Sequence, residues 1–404
     1  MSILTNNKNF LLLWSGNATS FVGYNGVRIA YPLLALSLTG SPVVASWVGF
    51  AITLPCLIFQ VPAGVAADYG NRMRTLVKCK QFGLAATLLT ATVVVLQPPG
   101  VSLFLMSAAL VEGTAQVFFA TTELGLVRDI VSVQERREAF SLIEAEESIA
   151  TVVGRALGAV ALGAGRSLPF LANAATYLYC LWSLSIIKGR VPAQPDVDSL
   201  SIWDWNRAWA GMRIVWTEPY LRSTSSILAA TNFIFEVVVL LIALDISDSG
   251  RPVWEVGLVL GASGLGGMLS TVPTVWLSSR VSARTAFVTT LWAWAVLLAL
   301  IAVSSSPVVY AVALMGIAGF GTFSNVVLTM YQVRVIPEAM MGRVVGAMLL
   351  VQCSGMAVGA LLAGYILSML GISTTGWLLV VAMVILAWRA RRIKEPAAVV
   401  QRTT

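Results

Sequence analysis

The chain is laid out in apolar blocks about twenty residues long, and this layout constrains it more than any single motif does. Twenty helical residues span the ~30 Å hydrocarbon core of a bilayer. Residues 43–67 carry no charged side chain. Composition points the same way. Of 404 residues, 57% are hydrophobic and 11% are charged, where a soluble domain carries about 25% charged residues. So few charges cannot cover a water-soluble body of this size. The blocks predict helices at 10–38, 43–67, 80–97, 101–127, 140–165, 168–187, 223–245, 256–278, 286–303, 308–330, 344–370 and 372–388. Thr39-Gly40-Ser41-Pro42 and Pro98-Pro99-Gly100 are turn sequences between blocks. The last two blocks are joined almost without a break.

The basic residues orient the blocks, because Lys and Arg collect on the cytoplasmic side. With the N-terminus inside, 22 of the 26 Lys and Arg residues fall in inner segments. Among them are Arg72, Arg74, Lys78 and Lys80 after the second block. Arg166 and Arg251 fall outside, and Arg28 and Arg155 fall within blocks. Both termini are therefore expected in the cytoplasm. The same distribution accounts for the net charge of +7, so the basic balance implies no nucleic-acid partner. The opening MSILTNNKNF has one Lys and no small-residue cleavage site, so no removable signal is expected.

The domain organisation follows from the polar stretches. An N-terminal bundle is expected at 1–187, a cytoplasmic linker at 188–222, a C-terminal bundle at 223–388 and a basic tail at 389–404. Within the linker, Ile202, Trp205, Trp209, Met212 and Trp216 recur at spacings of three and four. That pattern predicts an amphipathic helix on the inner membrane surface.

The halves repeat. Gly154, Gly158 and Gly163 in the fifth block match Gly355, Gly359 and Gly364 in the eleventh at a constant offset of 201, and Glu138-Ala139 matches Glu338-Ala339 at an offset of 200. Glycines four apart let helices approach closely. Two copies suggest duplicated halves, the plan of secondary transporters.

Some chemistry is excluded. There is no histidine, which removes catalysis with His as base. Cys56, Cys79, Cys180 and Cys353 have no metal-site spacing. No nucleophile–base pair stands out, so an enzyme is not expected.

After the second block the chain reads Gly64-Val65-Ala66-Ala67-Asp68-Tyr69-Gly70-Asn71-Arg72-Met73-Arg74. This resembles the loop signature of the major facilitator superfamily, at the position where that family carries it. Leu38 to Pro42, Asn173-Ala174 and the RVIPEAMMGR stretch from Arg334 to Arg343 resemble its drug:proton antiporter branch, which contains macrolide and enterobactin exporters. The likeness runs the length of the chain. It implies an all-α fold of twelve transmembrane helices in two pseudo-symmetric six-helix bundles. It also implies alternating access, with proton-coupled efflux of a small amphipathic molecule by a monomer in the cell membrane. No cofactor is implied beyond the proton gradient.

The resemblance further implies a conformational latch. Gly64 would let the second helix lie close to the eleventh, Asp68 would face the positive N-terminal end of the eleventh, and Arg72 would pair with Asp129. The sequence departs from the family pattern in several places. Tyr69 replaces the usual basic residue, and the equivalent loop at 278–284 has no acid. Tyr24 stands where relatives often carry Asp, and Ala159 where they often carry Pro.

A charge at the bilayer centre costs at least ~2.5–3.5 kcal/mol on insertion scales. Arg28, Glu112, Arg155 and Glu236 each lie about 14–16 Å from the outer end of their block at helical rise. They are the candidates for proton coupling and substrate binding. Tyr24, Asn25, Asn232 and Asn325 are expected to line the same cavity. Arg28 or Arg155 could pair with Glu112. Glu236 has no cation in its own half at that depth, which makes it the first candidate proton carrier, followed by Glu112. Glu144, Glu146 and Glu147 read as a solvated helix start. Two alternatives stay open: a metabolite uptake carrier or uniporter, and an anion exchanger that uses Arg28 and Arg155 without proton coupling.

Overall fold

The computed structural model describes residues 3–4, 7–69, 71–132, 134–187, 205–278, 280–335 and 338–393. They form α1 (Lys8–Thr39), α2 (Pro42–Tyr69), α3 (Arg72–Leu96), α4 (Val101–Ile130), α5 (Arg136–Ala164) and α6 (Leu168–Ile186). Then come α7 (Trp205–Thr217), α8 (Pro219–Asp248), α9 (Val253–Ser278), α10 (Ala283–Val303), α11 (Pro307–Val335) and α12 (Glu338–Ala390). In lipid, a helix satisfies its own backbone groups, which is why apolar blocks of this length take this form. By length and composition, eight of the described helices are apolar enough to cross a membrane. The first helix is more polar, with Asn17, Asn25 and Arg28 along it.

Helix ends follow local chemistry. Asn7 caps α1 by accepting from the Phe10 N–H at 3.0 Å, and Gly40 ends it at a φ of 63°. Asn71 caps α3 and Ser282 caps α10, each accepting from the N–H three residues on. The cap at Asn71 moves the start of α3 eight residues ahead of the expected position. The expected boundary between the last two spans falls at Gly371, whose φ of 73° and ψ of 170° break α12. Only glycine adopts that backbone region readily. Counting α12 as two spans and setting α7 aside gives twelve membrane crossings.

Contacts divide the chain into two compact units. The first comprises Met1–Asp204 with Pro252–Gly261, and the second Trp205–Arg251 with Ala262–Thr404. In the first unit α1 packs on α5 and α6, α2 on α4, and α3 on α4 and α6. In the second, α12 packs on α8 and α10, and α10 on α11. The amphipathic α7 packs on α8 and α12 within the second unit. It buries Val215 and leaves Trp209 and Trp216 exposed. Residues 188–204 and 394–404, which include Ile202 of the expected stripe, lie outside the described residues.

The repeated glycines act inside each unit. A Cβ at Gly154 would strike the Val22 carbonyl and one at Gly158 the Gly26 backbone, so α5 crosses α1 at backbone contact. A Cβ at Gly355 would strike the Ala229 carbonyl and one at Gly359 the Phe233 backbone, so α12 crosses α8 in the same way. The repeat thus records one helix crossing, built twice.

Candidate functional site

Three stripes converge within the first unit. Lys80, Gly83, Thr87 and Thr90 share one face of α3. Glu112, Gln116, Phe119 and Glu123 share a face of α4, and Asn173, Tyr177 and Cys180 one of α6. Each recurs at spacings of three and four, which puts its members on one side of a helix. The absence of a side chain at Gly83 makes room for the Tyr177 ring, which a Cβ there would meet at 2.8 Å.

Glu112 is at the centre of this convergence and is 0% exposed. Its Oε1 accepts from the Tyr177 hydroxyl at 2.6 Å and from Asn173 Nδ2 at 2.7 Å. Its Oε2 accepts from Thr87 Oγ1 at 2.9 Å. Asn173 Nδ2 also reaches Thr87 Oγ1 at 3.1 Å, and Thr90 shares a hydrogen bond with the Tyr31 hydroxyl at 3.0 Å. Two of the three donors to Glu112 are hydroxyls, which donate or accept by rotation. A proton added to Glu112 would therefore still find an acceptor on Tyr177 or Thr87. The site holds the carboxyl in either state without leaving an orphaned polar group.

This corrects the expected ion pair. All three bonds to Glu112 come from uncharged donors on α3 and α6, with neither Arg28 nor Arg155 among them. The carboxyl points into its own bundle.

Further along α4 is a second buried carboxyl. Glu123 is 3% exposed and accepts from Asn17 Nδ2 of α1. Glu146 on α5 is 4% exposed, and its Oε2 has no hydrogen-bond partner among the described residues. Burial of Glu146 overturns its reading as part of a solvated helix start, whereas Glu147 is exposed. The Glu144 side chain lies outside the described residues.

Lys80 is the largest departure from expectation. It was counted with the inner loop, yet it is 2% exposed. Its Nζ lies 3.6 Å from the centroid of the Phe119 ring and 4.9 Å from that of Tyr177. Its spacing from Gly83, Thr87 and Thr90 is the sequence signal that would have placed it on the interior face.

The remaining expected residues divide as follows. Arg72 Nη1 donates to Asp129 Oδ2 at 2.6 Å, and Arg72 Nε donates to the Ala67 carbonyl at 2.7 Å. These bonds close the turn between α2 and α3 onto the end of α4. A Cβ at Gly64 would meet no atom within 4 Å among the described residues. The Asp68 and Tyr69 side chains, all of Gly70, and the side chains from Arg334 to Arg343 lie outside the described residues. Tyr24, Arg28 and Arg155 are half-buried in the first unit. Asn25 is buried at the α1–α5 crossing, where its amide turns back to the Phe21 carbonyl at 3.0 Å. In the second unit, Glu236 is half-buried beside Gly359. Asn232 Nδ2 lies 3.5 Å from the Gln352 carbonyl, and Asn325 is exposed. Among the described residues, no group of three or more His, Cys, Asp or Glu is placed to hold a metal ion.

Comparisons with known proteins agree with this architecture. The Major Facilitator Superfamily matches over residues 13–360 and 238–404. The multidrug efflux pump Tap of Mycolicibacterium fortuitum is 27% identical over 405 residues, which cover 95% of each chain. The crystal structure of the nucleoside transporter NupG superposes with a TM-score of 0.75 at 13% identity, covering 96% of this chain and all of that one. A bacterial homologue of the iron transporter ferroportin, in its inward-facing state, superposes with a TM-score of 0.72 at 15% identity, over 95% of this chain and 99% of that one. Identities that low carry the fold alone. Twelve helical spans, a helix crossing built twice and a family match over residues 13–360 and 238–404 converge on one conclusion: the chain belongs to the Major Facilitator Superfamily.

Proposed function

We propose that this protein is a secondary active transporter that exports a small amphipathic molecule in exchange for protons, by alternating access in the cell membrane. It works as a monomer with both termini in the cytoplasm, and it is a carrier rather than an enzyme. The observation that carries this reading is Glu112, a buried carboxyl whose hydroxyl partners accommodate both its protonated and its ionised form. The likeness to a multidrug efflux pump over 95% of both chains supports export and the class of cargo. Glu236 is the second carboxyl of the cycle, at the glycine crossing of the second unit.

Inverted membrane vesicles with ethidium as the probe test the reading. A pH gradient should drive ethidium accumulation, and an uncoupler should abolish it. Glu112→Gln and Glu236→Gln should each lose gradient-driven accumulation while expressing normally. Undiminished accumulation in both variants would remove the carboxyls from the coupling step.

A second reading is anion exchange through Arg28 and Arg155. Because Glu112 takes its bonds elsewhere, it does not neutralise either arginine by a hydrogen bond. Transport of an organic anion that an uncoupler leaves unchanged would favour that reading.

A further inference from the structure

Lys80 is a buried ammonium with an unusual set of partners. It lies over the ring faces of Phe119 and Tyr177. Among the described residues, Arg72 and Asp129 form an ion pair, and Lys80 forms none. An ammonium is strongly hydrated and costly to bury without a carboxylate. Its position along α4 explains why it is kept. Phe119 lies seven residues beyond Glu112 and four before Glu123, so the ring that holds the ammonium is attached about 10 Å along the helix from Glu112 and about 6 Å from Glu123. Tyr177 links it to the upper site, since its ring contacts Lys80 and its hydroxyl bonds Glu112.

The charges around it do not balance if all are ionised. Glu112, Glu123 and Glu146 are all buried, and Lys80 is within electrostatic reach of each. Lys80 alone cannot neutralise three buried carboxylates. The other titratable groups facing this column are Cys79 on α3, Tyr177 and Cys180 on α6, Glu147 on α5, and Tyr24, Arg28 and Tyr31 on α1. Between the two carboxyls of α4 lies Gln116, whose buried amide has neither oxygen nor nitrogen bonded among the described residues. It offers both a donor and an acceptor at the gap.

We propose that Lys80 is a counter-ion shared in turn by Glu112 and Glu123, and that the protonated state passes between these carboxyls as the lysine changes partner. The inference rests on proton-coupled transport for its purpose, but its chemistry stands alone. In one state Glu112 is a carboxylic acid, Glu123 a carboxylate, and the ammonium leans toward Glu123. In the other, the O–H bond on Glu112 has broken and its proton has gone to water, Glu123 has taken a proton from water, and the ammonium leans toward Glu112. Lys80 stays protonated throughout, and the net charge of the three groups is the same in both states. The flexible four-carbon stem of lysine permits the swing, and the ring faces of Phe119 and Tyr177 hold the ammonium in one resting position. Glu146 on α5 is within electrostatic reach of Glu123. Lys80 and Glu123 are positioning and relay residues, and substrate need not touch them.

Proton binding by the purified, unliganded protein tests this without a transport assay. A pH-indicator dye counts the protons taken up between about pH 9 and pH 5, a window covering the tails seen for buried carboxyls. Wild type should take up at least one proton that Glu112→Gln lacks, and Glu123→Gln should lack one as well. Lys80→Met should displace the midpoint of that uptake by more than about tenfold in proton concentration, the effect of removing a nearby opposite charge. Lys80→Arg keeps the charge and should keep the midpoint. It also controls for misfolding of the methionine variant. Identical curves for wild type, Lys80→Met and Lys80→Arg would overturn the proposal. So would undiminished uptake in both glutamine variants. Altered uptake together with uncoupler-insensitive ethidium transport would leave the relay standing and sink the efflux reading instead.

Discussion

The two six-helix units share a helix crossing but bury different kinds of group. In the first, the buried polar side chains include Glu112, Glu123, Glu146, Lys80, Arg72, Gln116 and the amides of Asn17, Asn25 and Asn173. In the second, the described buried polar side chains are hydroxyls: Thr224, Ser225, Thr231, Thr274, Thr290, Ser324 and Thr375. A threonine in a helix satisfies itself by bonding the carbonyl one turn back, as Thr224 does to Tyr220 at 2.9 Å. A buried glutamate cannot do this and needs partners from other helices. The second unit is therefore built as a packed body with Glu236 at its edge, whereas the first carries an internal electrostatic system.

Three paired substitutions break or sharpen this contrast. The largest effect should be common to both units. Gly158→Val and Gly359→Val each push a side chain into a facing backbone, and overpacking costs at least ~1–3 kcal/mol even where neighbours can shift. Both should lose most of the monodisperse protein in size-exclusion chromatography. A well-folded Gly359→Val would show that the crossing is not equivalent in the two halves.

The second pair separates the units. Arg72→Met strands Asp129, whose side chain is 14% exposed, and should cost about 3 kcal/mol, the low end for breaking a buried pair. Arg280 in the second unit is exposed and stacks on Trp276 at 3.8 Å. Its replacement by Met should cost less than about 1 kcal/mol, as exposed cation–π contacts do. Thermal melting of the purified variants compares them, and equal losses would erase the distinction.

The smallest difference is between two tyrosines. Tyr177→Phe removes a 2.6 Å bond from the fully buried Glu112 and should cost about 2 kcal/mol for the group left unsatisfied. Tyr310→Phe removes a 2.8 Å bond from the half-buried Asp245, which water can replace. It should cost about 1 kcal/mol or less. Melting curves in which Tyr310→Phe is the more damaging would contradict the view that the costly groups lie in the first unit.

The contrast also explains what was legible in the sequence. Span number and most helix ends could be read because apolar length and turn residues act locally. The halves could be paired because glycine is required where two backbones touch, and the same glycines recur. The interior charges were harder. Lys80 follows Arg72, Arg74 and Lys78, so its charge read as inner loop. Its burial depends on Asn71 starting the helix early and on rings from α4 and α6. Glu146 was misjudged for a similar reason, lying between Glu144 and Glu147 in an acidic run. The partners of Glu112 were missed because they come from stripes on two other helices, each unremarkable alone. Local pattern gives the face of a helix, and only packing tells what that face meets.

Gly371 makes the turn between the last two crossings on its own. Other neighbouring spans are joined by residues that can take up slack, such as the Gln97–Gly100 connection before α4. Here there is no slack. One added residue at this corner would have to be absorbed by the final span itself, turning it by about 100° and sliding it by about 1.5 Å. Trp377, Leu378 and Trp388 now face outward, and Thr375 is buried. The added residue would swing those indoles toward the protein and the threonine toward lipid. The chain can drift in sequence along this hairpin more readily than it can change in length.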